Sequence, residues 1–108
     1  MSAIFKDAFA LMPKAKHSAA RAAVIAAVVM DDRVLVVHDG DSARVREEFD
    51  AAVELAENEF ADHVKRICRS YADTRIIFGH GGEVLFASTR TLDRIRGYNF
   101  DMILEANA

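Results

Sequence analysis

The apolar positions of this chain recur with two different periods. Residues 3–12, AIFKDAFALM, set Ile4, Phe5, Ala8, Phe9 and Met12 three and four apart, the spacing of a short amphipathic helix that Pro13 then limits. From Ser18 the chain reads SAARAAVIAAVVMDD, with Arg21 its one early charge. Val24, Ile25, Val28 and Val29 suit strands as well as helices, but the length of the run and its alanines predict a helix buried on most sides, with Ser18 as its N-cap. The β-branched run RVLVVHDGD predicts a strand from Arg33 to His38, buried on both faces as parallel strands are. Asp41 or Ser42 then caps a long helix. Its stripe of Val45, Phe49, Ala52, Val53, Ala56, Phe60, Val64, Ile67 and Tyr71 carries it to about Ser70. Glu47, Glu48 and Asp50 come early in that stretch and Lys65, Arg66 and Arg69 late, the order a helix dipole favours.

Two short apolar runs, Arg75 to Phe78 and Glu83 to Ala87, flank a turn at Gly79 to Gly82 and predict a hairpin. The segment TLDRIRG makes one or two helical turns, and NFDMILEA is the last strand. Strands separated by helices predict an α/β fold: one domain over residues 1–108, with a small mixed sheet of parallel strands plus a hairpin, flanked by helices.

Composition narrows the function classes. With 108 residues, 52% of them hydrophobic and 29% charged, and with one Pro and five Gly, the chain has the make-up of a compact domain with a single core. A net charge of −3 and a pI near 5.7 argue against a broad, sequence-independent grip on nucleic acid and leave local basic patches for that purpose. The single Cys68 cannot form an intrachain disulfide, and within the helical pattern it reads as a small buried hydrophobe. A reducing, cytoplasmic setting is expected, the host cytoplasm if the chain is viral. AAVIAAVVM, residues 22–30, is far shorter than the roughly 20 residues that cross a bilayer, so no membrane partner is expected. The segment before it has neither a basic n-region nor a small-residue cleavage site, which predicts a soluble, unprocessed protein.

Three groups of residues carry candidate chemistry. Glu105, at the carboxyl end of what reads as a central parallel strand, lies where α/β sheets hold ligands and can orient water or a metal ion; the plainer reading is a solvated residue on a fraying terminus. His38, Asp39 and Asp41 bring an imidazole and two carboxylates together. A turn and a helix cap explain the same residues, and with no further ligand at metal-like spacing no metal site is assigned. His63 and His80 read as exposed. Arg90, Arg94 and Arg96, with Arg75 on the hairpin, offer the planar forks that suit phosphate or nucleic acid; the alternative is a basic face paired with Asp93 and Asp101. There is no nucleophile elbow, Cys pair or HExxH motif.

The stretch RIIFGHGGEVLFASTRTLDRIRGYNFDMILEA resembles the segment of phage large-terminase and helicase-like ATPases in which a hairpin strand ends near a Ser, an arginine-bearing turn follows, and a strand ends in the Walker B acids. Gly82, Phe86, Ser88, Ile95, Arg96, Gly97, Phe100, Asp101 and Glu105 carry the likeness. Upstream, KHSAARAAVIAAVVMDDRVLVVHDGDSARV is similar to that family's P-loop, helix, strand and turn, with Lys16 and Ser18 near the places of its lysine and hydroxyl. The resemblance implies a P-loop NTPase-like fold and a phage or prophage origin. The departures are chemical. LMPKAKHSA has no glycine to turn consecutive N–H groups around phosphates, His17 separates Lys16 from Ser18, and Leu104 stands where the family has an Asp before its Glu.

The expectation is therefore a non-catalytic, degenerate ATPase-like domain that needs no cofactor. It would bind a protein partner, a second copy of itself as a homodimer, or nucleic acid. The alternative is a Mg²⁺-dependent ATPase domain of a DNA-packaging or helicase-type motor. In that reading Lys16 and Ser18 hold the phosphates of ATP, Glu105 orients the attacking water, and Arg96 or Arg94 neutralises the developing charge.

Overall fold

The computed structural model describes residues 17–39, 42–70, 73–89 and 99–106. Its elements are α1 (Ser18–Val29), β1 (Arg33–His38), α2 (Ser42–Glu59), a 3-10 turn (Ala61–His63), β2 (Val64–Ser70), β3 (Asp73–Phe78), β4 (Glu83–Ser88) and β5 (Met102–Glu105). The five strands form one sheet in the order β2-β3-β4-β1-β5. β1 runs parallel to both β4 and β5, whereas β2, β3 and β4 are joined antiparallel. This is the mixed α/β sheet that the alternation of helices and strands predicts. The helix expected over residues 3–12 and the helical turns expected over 91–97 lie outside the described residues.

α1 and α2 cover one face of the sheet. Val34, Val36, Val84, Phe86, Ile76 and Phe78 meet Ala20, Ala23, Val24 and Ala27 of α1 and Phe49, Val53 and Ala56 of α2 in one buried cluster. Small side chains let α1 lie close. A Cβ placed on Gly82, just ahead of β4, would come 2.0 Å from the carbonyl oxygen of Ala27, so glycine is required there to seat the helix on the sheet. Phe49 and Phe86 fill the space under α2 edge to face, with ring centroids 5.5 Å apart. The alternate residues Leu35, Val37, Leu85 and Ala87 are buried on the opposite face, with Phe100 packed against them. Burial of β1 on both sides explains its unbroken β-branched run.

Two expectations are corrected. Ser18 is the first helical residue rather than the cap; His17 holds the capping position with φ 62 and ψ 32 and makes no side-chain cap hydrogen bond. The long helix ends at Glu59, not near Ser70, and Val64, Ile67 and Cys68 belong to β2. A helix over residues 42–70 would be about 43 Å long at 1.5 Å per residue. The longest dimension of the fold is 32 Å, so such a helix would carry roughly a quarter of its length past any surface able to cover it. As a strand, the same residues pair with β3 and turn Ile67 onto the helix-side core. Cys68 is accordingly half-buried on a strand.

Candidate functional site at the carboxyl edge of the parallel strands

Both helices begin at the same edge of the sheet. α1 reaches β1 through a connection of only residues 30–32, so it runs antiparallel to it, and Ala27 near its end touches Gly82 at the start of β4. α2 begins at Ser42, soon after β1 ends at His38. The amino ends of the helices therefore gather beside the carboxyl ends of β4, β1 and β5, the edge at which α/β sheets bind ligands and where helix dipoles favour negative charge.

Registration places His38 beside Ser88 and Val37 beside Glu105 along this edge. His38 and Ser88 are both buried, and they follow Val36 and Phe86 onto the helix-covered face by strand alternation. Asp39 is largely exposed, with its Oδ1 3.7 Å from His38 Nδ1. Met102 and Leu104 pack on the helix-side core, so Ile103 and Glu105 project from the opposite face, where both are exposed. β5 is an edge strand among those described, not the central strand expected from the sequence.

Ser18 opens α1 on the helical side of the sheet. Lys16, Arg90, Arg94, Arg96, Asp41 and Asp93 lie outside the described residues. Arg75, the member of that arginine group placed on the hairpin, lies among the described residues. It sits 3.8 Å from Glu83 Oε2, while Arg33 donates from Nη2 to Glu83 Oε1 at 3.0 Å, so the buried Glu83 ties β1, β3 and β4 together. Asp101 accepts the backbone N–H of Arg33 at 2.8 Å and thereby fixes the entry to β1. His63 and His80 are exposed, as expected. Among the described residues, no three His, Cys, Asp or Glu side chains converge as a metal-binding group.

A junction that the sequence did not reveal joins the two helices at this edge. His17 Nδ1–H donates to Oε1 of Glu48 at 2.9 Å, and the Glu48 side chain is only 7% exposed. The other carboxylate oxygen, Oε2, is buried with no hydrogen-bond partner among the described residues. His17 also lines a cleft of about 210 Å³, together with Arg21, Glu54, Leu55, Asn58 and Glu59. Glu48 was legible only as one of the acids favoured early in a helix; the signal for its burial is its place four residues before Ala52 on the apolar stripe.

Electrostatic strain gathers at the opposite edge. Burial, then the neighbouring carboxylates of Asp101 and Asp31, holds the Asp32 carboxyl above its ordinary 3.8. No helix among the described residues is long and apolar enough to cross a membrane. In comparisons with protein-family models, with curated proteins and with solved structures, nothing matches this chain.

Proposed function

We propose that this chain is a binding module built on a degenerate ATPase-like sheet of terminase or helicase type, of phage or prophage origin, which engages a protein partner, a second copy or nucleic acid and does not hydrolyse nucleotide. The observation that supports this reading is the division of the candidate residues between the two faces of the sheet. Ser18 opens a helix on one face, whereas Glu105 projects from the other at an edge strand. A hydroxyl that holds a phosphate-bound cation and an acid that orients the attacking water must reach the same phosphoryl group, and that shared geometry supplies most of the catalysis in phosphoryl transfer.

The alternative, a Mg²⁺-dependent ATP-binding domain, draws support from the two helix amino ends meeting the carboxyl ends of parallel strands. Calorimetric titration of ATP and ADP, with and without Mg²⁺, separates the two. The binding-module reading expects no saturable heat at millimolar nucleotide. Micromolar affinity lost in Lys16→Ala, with turnover lost in Glu105→Gln, would replace it with the ATPase reading.

A further inference from the structure

β2 closes one end of the sheet as described, and it is long for an edge: seven residues, against six in the buried β1 and β4. Edge strands are normally kept from recruiting other chains by being short, bulged or charged. The one irregularity of β2 falls at its start, between Val64 and Arg66; from Arg66 to Ser70 it pairs residue for residue with β3. That regularity turns a row of alternate backbone donors and acceptors outward, of which the Arg69 carbonyl already accepts from Arg46 Nη2, a contact that an added strand would have to displace.

The side chains along this row are cationic. Lys65, Arg66 and Arg69 are exposed and make no ion pair among the described residues. Ile67 packs on the helix-side core, so strand alternation sends Arg69 to that face and Arg66 to the other. An added strand would therefore meet a guanidinium on each of its faces. Arg69 is held in place, with its guanidinium 5.8 Å from the centroid of Phe49 and its carbonyl accepting a 3.0 Å hydrogen bond from Arg46 Nη2. Two copies paired along β2 would bring like charges together, which disfavours self-association at this edge. The same charges favour a strand that carries carboxylates.

We propose that β2 accepts an extended, acidic peptide segment of a partner protein as a sixth strand, with backbone hydrogen bonds giving affinity and Arg66 and Arg69 selecting acidic side chains. This rests on the binding-module reading and names the class of its partner.

The test is fluorescence anisotropy at low salt with a labelled peptide of about eight residues in which pairs of Glu alternate with pairs of Thr, so that an extended strand presents carboxylates on both faces. Saturable binding is expected, weakened on the order of tenfold by Arg66→Glu combined with Arg69→Glu and lost when alternate peptide nitrogens are methylated. Arg66→Gln, expected to weaken binding severalfold, serves if the double variant does not fold. Equal binding of the methylated peptide would reduce the contact to charge alone and overturn the proposal. So would no binding at millimolar peptide, or displacement of the peptide by a DNA duplex that binds more tightly. The nucleotide titration is independent of these arms: failure here with no nucleotide binding removes this surface only, whereas nucleotide turnover removes the reading beneath it.

Discussion

At the scale of single residues, His17 combines two features that are costly apart. Its backbone is left-handed, and its side chain is the partner of a buried carboxylate. Removing the imidazole strands Glu48 in the interior, so His17→Ala should destabilise the fold by about 2 kcal/mol in chemical denaturation. His17→Gly loses the same bond but relieves the backbone, and should be about 1 kcal/mol more stable than His17→Ala. Equal stabilities would show that φ 62 is not held in solution. Asp32 gives a pH-dependent counterpart. Because its carboxyl is held above the ordinary 3.8, the folded chain binds that proton more tightly than the unfolded chain does. Its ionisation therefore detracts from stability, fully above the raised value and not at all well below 3.8. Asp32→Asn should be more stable than the parent at pH 7, with the advantage shrinking as the pH falls toward 3. Parallel pH profiles for the two proteins would exclude this assignment.

At the scale of elements, the seat of α1 on the sheet depends on small residues. Gly82→Ala forces a methyl group against the Ala27 carbonyl and should cost about 3 kcal/mol, read as a lowered melting temperature. Ala23→Leu, fully buried on the same helix, should cost about 2 kcal/mol by overpacking, whereas Ile25→Lys, at a position already 43% exposed, should change stability by less than about 0.5 kcal/mol. These elements also mark how far the sequence could be read. The run Arg33 to His38 and the hairpin around Gly79 to Gly82 were legible because strand burial and turn chemistry leave a local imprint. The end of α2 was not. No glycine or proline stands between Glu57 and Ser70, and Val64 and Ile67 continue a helical stripe as readily as they begin a strand.

For the whole molecule, the order β2-β3-β4-β1-β5 grades protection from the middle outward. β1 is covered on both faces and paired on both sides; among the described residues β2 is paired on one side, and its residues are half-buried or exposed. Native-state hydrogen exchange should find the amides of Val34 to Val37 slower than those of Arg66 to Arg69 by a factor on the order of 100 or more. Uniform protection across the sheet would mean that β2 is covered in solution. The candidate residues obey the same geometry: those near one another at the carboxyl edge, His17 and Glu48 or His38 and Ser88, come from separate elements that meet only when the sheet is assembled.

The sequence by itself determined the local alternatives: an alanine-rich helix, a strand buried on both sides, a glycine hairpin and a parallel strand ending in Glu105. Each of these is written in a period, a turn or a run of β-branched residues that acts over a few positions. Tertiary structure decided where α2 stops, which face Glu105 takes, that Glu83 receives Arg33 and Arg75, and that Glu48 is buried against His17. Those outcomes depend on the dimensions of a finite core and on strand register, quantities set between segments distant in the chain and carried by no single one of them.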